Sequence, residues 1–205
     1  MKIIFIICTI CITYIISLTL SKKKQKQETD LYKMRIITKS TKNMFINPWN
    51  GLRRHESFNL EKDCLQIINN NFNCICKKKC YHFPEIINYD NKRYKFFLSI
   101  RGLSLNNYHR FLNYNIIKKI VLNKHQIEEQ VNCITHNLEK SKVAHLDLAS
   151  KNICIDNEGT LSLIDFDIAC INGRCISSKI QKKYNEYTTE KFKKKFIGSV
   201  SRILL

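Results

Sequence analysis

Two acids and an amide stand at set intervals towards the C-terminal end of the sequence. Asp147 and Asn152 lie in HLDLASKN, and Asp165 lies in IDFDIA, eighteen residues after Asp147. Carboxylate and amide oxygens suit a hard divalent cation, and a polyphosphate needs such a cation. Asn152 and Asp165 can be its ligands. Asp147 is then free to accept the proton of an attacking hydroxyl. Lys151 carries a compact charge on a flexible stem and can reach a transferring phosphate. Together these residue types point to phosphoryl transfer.

Such side chains work only if the chain gathers them. NICI and LSLI flank DNEG and read as two short strands joined by a tight turn. That hairpin brings Asn152 and Asp165 together, and Asp147 can approach the same point. Upstream, residues 125–140 read as a helix, because Ile127, Val131, Ile134 and Leu138 form one apolar stripe. Residues 57–69 read as another, with Phe58, Leu65 and Ile68 on one face and Ser57 as its cap. LYKMRII and RYKFFLSI read as strands. No internal repeat is visible.

The segment HLDLASKNICIDNEGTLSLIDFD resembles the catalytic segment of the protein-kinase-like superfamily. His145, Asp147, Asn152 and Asp165 match its histidine-x-aspartate, asparagine and metal-binding aspartate in type, order and spacing. The resemblance implies an α+β, two-lobe fold. The N-terminal lobe would be a reduced sheet with one helix, the C-terminal lobe short and mainly helical, and an apolar helix would precede both. It also implies ATP with Mg2+ or Mn2+, and transfer of the γ-phosphate to a hydroxyl on a protein, glycan or small molecule. Asp147 and Lys151 would be catalytic, and Asn152 and Asp165 the metal ligands. More weakly, FNLEKDCLQIINN is similar to the regulatory helix of kinases. Glu61 then takes the place of the lysine-pairing glutamate, and Lys42 that of the lysine, with Lys33 and Lys39 as competitors. HFPEIINYDNKRYKFFLSIRGLSL is similar to the following strands and hinge, so Ser99, Ile100 and Arg101 would offer backbone groups to an adenine. His145 would hold the loop in place.

The departures are also plain. No glycine-rich G-x-G-x-x-G loop exists in a chain with only five glycines. D-F-G has become D-F-D, with Asp167 in place of glycine. No A-P-E motif follows, and the segment after Asp165 is short. An inactive nucleotide-binding module and a basic membrane-surface adaptor are therefore alternative expectations.

The 205 residues divide by reading into an apolar leader at 1–21, a polar basic linker at 22–30, an upper lobe at 31–101 and a lower lobe at 102–205. Residues 3–20 carry no charge and would span about 27 Å as a helix, close to a bilayer's hydrocarbon thickness. Lys22, Lys23, Lys24 and Lys26 follow, which favours a single-pass anchor with the remaining chain in the cytosol. A cleaved signal peptide leading to the secretory pathway is the alternative, and a buried soluble helix is a third reading.

The net charge of +18 attracts phosphates, nucleic acid or anionic lipid, although richness in Lys, Asn and Ile also follows from AT-rich coding. Residues 181–196 interleave Lys with Tyr and Phe. They read either as a basic surface for anionic membrane or nucleic acid or as a solvated amphipathic helix. CICKKKCYH gathers Cys74, Cys76, Cys80 and His82. These soft ligands can hold zinc, in an unusual spacing.

Overall fold

Phe96 and Leu98 alternate along one segment and are both buried, as expected of a strand with one face on a core. The computed structural model describes residues 35–40, 52–77, 80–100, 102–114 and 116–205, with backbone alone at 35–40, Arg54 and Ile100. In it, β3 (Lys95–Ile100) is the middle strand of a three-stranded antiparallel sheet, between β1 (Arg35–Ser40) and β2 (Glu85–Asp90). Asp90 organises the β2–β3 turn, its Oδ1 accepting from the Lys92 and Arg93 N–H groups at 2.9 and 3.0 Å.

Helix α1 (Arg54–Asn71) lies against this sheet. Its inward stripe is Phe58, Glu61, Cys64, Leu65 and Ile68, all buried. Phe58 stacks on Phe96 with ring centroids 4.3 Å apart, a pairing worth about 0.5–1.5 kcal/mol beyond its buried area. The helix begins earlier than the sequence suggests. Arg53 is its N-cap, with the Arg53 N–H donating to Glu56 Oε2 at 2.6 Å. Ser57, expected as the cap, instead lies buried within the helix.

The chain then crosses to a second sheet through Gly102, whose φ is +79°. A Cβ built here would meet the Ile155 carbonyl oxygen far inside van der Waals contact, so both the conformation and the space require glycine. β4 (Leu103–Ser104) pairs with β6 (Ile153–Ile155), which pairs with β7 (Leu161–Leu163). Ser104 caps α2 (Leu105–Asn113), accepting from the Asn107 N–H. The β6–β7 hairpin is the one read from NICI and LSLI. Asp156 closes its turn by accepting from Glu158 and Thr160.

Helix α3 (Lys124–Lys140) starts at a capping box of Asn123 and Gln126 and buries the stripe Ile127, Val131, Ile134 and Leu138. It leads into β5 (Val143–His145), which pairs with β8 (Ala169–Ile171). A disulfide joins Cys170 to Cys175 across the turn after β8.

The tail forms α4 (Ser178–Asn185) and α5 (Thr189–Leu204). α5 packs on α3 and buries Phe192, Phe196, Val200 and Leu204, one residue per turn. The expected amphipathic segment is thus two helices, and its two phenylalanines belong to the core.

The architecture is α+β, with three small sheets and five α-helices among the described residues. The apolar leader lies outside them. Among the described residues no helix is long and apolar enough to cross a membrane.

Candidate functional site

β5 ends at His145, and the chain then turns through a short 3-10 segment at Ser150–Asn152 into β6. This loop is tied at both ends. The Asn152 N–H donates to the Ala149 carbonyl at 2.8 Å, and the Asn152 carbonyl accepts from the Ile164 N–H at 2.9 Å. Asn152 is therefore held directly beside the strand that leads to Asp165, as the hairpin argument requires.

The buried Asn152 side chain points its amide back at Asp147. Nδ2 donates to the Asp147 carbonyl at 2.9 Å and to Asp147 Oδ2 at 3.0 Å. With the nitrogen committed, the amide oxygen is the group left to act as a ligand. Lys151 also approaches Asp147 Oδ2, at 3.6 Å, with its side chain 60% exposed and that of Asp147 28% exposed. A pair this open contributes about 0–1 kcal/mol, so it orients the aspartate without locking it away.

Asp165 has φ = +71°, in the left-handed region that residues bearing a Cβ rarely adopt. Such outliers gather at functional sites, where the surrounding structure holds them. Two neighbours supply that hold. Phe166 is fully buried and sits edge-on to His145, with centroids 4.8 Å apart. The Phe166 N–H donates to Glu61 Oε1 at 3.4 Å. Glu61 is buried on α1, so it is no solvated surface charge. It joins the upper helix to the loop that carries Asp165.

His145 is also buried, and its Nε2 donates to the Ile164 carbonyl at 3.1 Å. Burial pushes its pKa down, and the nearby charges of Asp165 and Asp147 oppose that shift only in part. The imidazole is accordingly a neutral packing group with both acids nearby, which matches the structural role expected of it.

The remaining sequence-derived residues are less gathered. Ser99 lies inside the ladder, opposite Ile36 on one side and Glu85 on the other, and Ile100 is opposite Arg35. Ser99 also lines a narrow cleft with Phe83, Pro84, Ser162 and Ile164. Lys42, Arg101 and Lys33 fall outside the described residues, and Lys39 lies on β1 opposite Phe96 with its backbone alone described. Asp167 is half-buried, two residues beyond Asp165.

For a divalent cation the donor set is right in kind: one amide oxygen and the Asp165 carboxylate, with Asp147 adjacent. No trio of carboxylates gathers here. The one close group of three or more His, Cys, Asp and Glu side chains among the described residues lies elsewhere.

That group is Cys74, Cys76, His82 and Cys133, whose ligand atoms all lie within 4.8 Å of one another. Three of its members were expected. The fourth was not: Cys133 comes from the middle of α3, far along the chain. Cys80 instead contributes its N–H, donating to Cys74 Sγ at 3.3 Å. Burial pushes the Cys76 and Cys133 thiols up. At Cys74 burial also raises the pKa, but hydrogen bonds led by those from the Cys80 and Cys76 backbones bring it down overall. No protein-family model and no curated protein matches the chain.

Proposed function

We propose that this protein is a phosphotransferase of protein-kinase-like fold that moves the γ-phosphate of ATP to a hydroxyl acceptor. The observation that carries the reading is the joining of Asp147, Asn152 and the Asp165 loop: Asn152 bonds to Asp147 through its side chain and to the strand before Asp165 through its backbone. In this reading Asp147 orients the acceptor hydroxyl and takes its proton. Lys151, already beside Asp147, balances charge on the phosphate as it moves. Asn152 and Asp165 present oxygens to Mg2+ or Mn2+, which when bound would neutralise the polyphosphate. Glu61 keeps the upper helix in register with the Asp165 loop through the Phe166 N–H.

The test uses purified full-length chain with ATP and Mg2+ or Mn2+, against proteins, glycans and small alcohols as acceptors. Transfer is expected, and Asp147→Asn should lower it about 10²–10⁴-fold while leaving the fold intact. Absence of transfer to every acceptor sinks the enzyme reading.

A second reading, a nucleotide-binding module without turnover, is favoured by the missing glycine-rich loop. Thermal stabilisation by nucleotide and metal, unchanged in Asp147→Asn and without turnover, would select it.

We further propose that residues 3–20 anchor the chain or direct it into the secretory pathway. The Cys170–Cys175 disulfide supports the secretory alternative over the cytosolic one, since disulfides persist in oxidising compartments. Protection of the folded part from protease in sealed microsomes would support that placement; digestion without detergent would rule it out.

A further inference from the structure

We propose that Cys74, Cys76, Cys133 and His82 bind one zinc ion, and that this ion staples the loop after α1 to α3 and to the β6–β7 hairpin. The inference is independent of the phosphotransferase reading.

Geometry carries it. In a tetrahedral site with bonds of about 2.3 Å to sulfur and 2.0 Å to nitrogen, ligand atoms are separated by roughly 3.5–3.8 Å. The four atoms here already lie within 4.8 Å of one another, and Cys76 Sγ is 3.3 Å from His82 Nε2. Closing onto an ion requires side-chain adjustments of no more than about 1 Å.

The histidine is in the ligand tautomer. His82 is fully buried, and its Nδ1 is 2.6 Å from the Leu161 carbonyl oxygen. A carbonyl only accepts, so Nδ1 carries the proton and the Nε2 lone pair faces the sulfurs. A ring nitrogen turned to a carbonyl behind a metal-facing one is the usual support of a zinc-bound histidine.

Two of the three sulfurs accept from N–H donors, which suits thiolates. The Ile75 N–H donates to Cys133 Sγ at 3.4 Å and the Cys80 N–H to Cys74 Sγ at 3.3 Å. Asn137 Nδ2 approaches Cys133 Sγ at 3.7 Å.

The frame is also built in advance. Asn137, buried on α3, accepts from the Asn73 N–H at 2.8 Å and donates to the Asn73 carbonyl at 3.0 Å. This pins the loop carrying Cys74 and Cys76 one turn from Cys133. On the other side the His82 carbonyl accepts from the Leu163 N–H, and Ser162 Oγ donates to the Tyr81 carbonyl. Four protein ligands with three sulfurs make a closed structural site, without the open position of a catalytic one. Binding exchanges the thiol protons for the metal, so three S–H protons leave as three zinc–sulfur bonds form.

The experiment is metal analysis of purified full-length chain, followed by replacement with Co2+ alone. One zinc per chain is expected, and the cobalt form should show tetrahedral d–d bands with thiolate charge-transfer intensity for three sulfurs. Cys133→Ser should weaken zinc retention against a chelator at least tenfold, since loss of even a supporting group costs about 10–100-fold. Cys80→Ser should keep the metal. If Cys133→Ser does not fold, the wild-type cobalt spectrum and Cys80→Ser still decide. A metal-free wild type, a disulfide among these cysteines, or metal lost in Cys80→Ser but kept in Cys133→Ser would each overturn the proposal. None of these readouts uses nucleotide, so this outcome and that of the phosphotransfer assay are separable.

Discussion

The molecule holds two polar clusters beside the β6–β7 hairpin, one at its open end and one bonded to Leu161 near its turn, and they are built by opposite rules. The oxygen cluster at Asp147, Asn152 and Asp165 comes from one continuous segment and stays partly open to solvent, with Lys151 mostly exposed. The sulfur cluster draws on the loop after α1, the lead into β2 and the middle of α3, and its histidine and Cys133 are buried. The first leaves Lys151 in solvent, and the second ties three separate parts of the chain together. The lesson is that local chain geometry suffices to gather the oxygen cluster, whereas the sulfur cluster needs groups brought from distant elements.

The largest expected contrast is in turnover. Asp147→Asn should lower phosphate transfer about 10²–10⁴-fold, the span of general-base contributions. It should leave zinc content unchanged. Initial-rate assays beside metal analysis measure both, and a variant that lost zinc as well would dissolve the distinction between the clusters. Next comes chelation. A ligand present at a thousand times its dissociation constant stabilises by about 4 kcal/mol. Stripping zinc should then lower Tm by roughly 8–16 °C for a chain of this size. Calorimetry with and without chelator tests this, and no shift would mean the sulfurs bear no structural burden.

Asp165→Gly sharpens the comparison from the other side. Relief of a left-handed backbone recovers about 1–2 kcal/mol, and greater freedom of the unfolded chain removes about 0.4–1 kcal/mol. Unfolding free energy should therefore rise by between about 0 and 1.6 kcal/mol, while metal-dependent nucleotide stabilisation disappears. Denaturant titration and thermal shift together check the pair.

The smallest effect concerns acid. His145 has its folded pKa lowered below the ordinary 6.5, chiefly by burial. The unfolded chain then binds the proton first, and stability falls as pH drops below about 6.5 towards the folded value. His145→Gln should flatten that part of the stability curve. An unchanged slope would show that burial does not govern this imidazole.

Much of this was readable before any coordinates. The α3 stripe from Ile127 to Leu138 and the turn at DNEG are local patterns with local causes, and both elements form where the pattern lies. The polar set at Asp147 and Asn152 shares that advantage, since five residues and one turn decide where the two side chains meet. Cys133 had no such signal. It lies beside the apolar stripe of its own helix and acquires partners only when α3 meets the loop at residues 72–77, a tertiary event. The Lys- and Phe-rich tail left two readings open, a binding surface and an amphipathic helix, for a related reason. Its alternation of charge and ring looks like a surface for binding, yet the rings at Phe192 and Phe196 repeat at one turn and face α3. β5 and β8, three residues each, are too short to announce themselves, and only their pairing defines them.

The hydrogen bond from Phe166 to Glu61 spans 105 residues. During synthesis the helix carrying that glutamate leaves the ribosome long before its partner exists. That bond therefore forms only after the segment around residue 166 has been made, although Phe58 and Phe96 let the helix rest on its sheet earlier. Nascent chains stalled short of that point should leave the helix face that carries Glu61 more open to proteases than chains released beyond it.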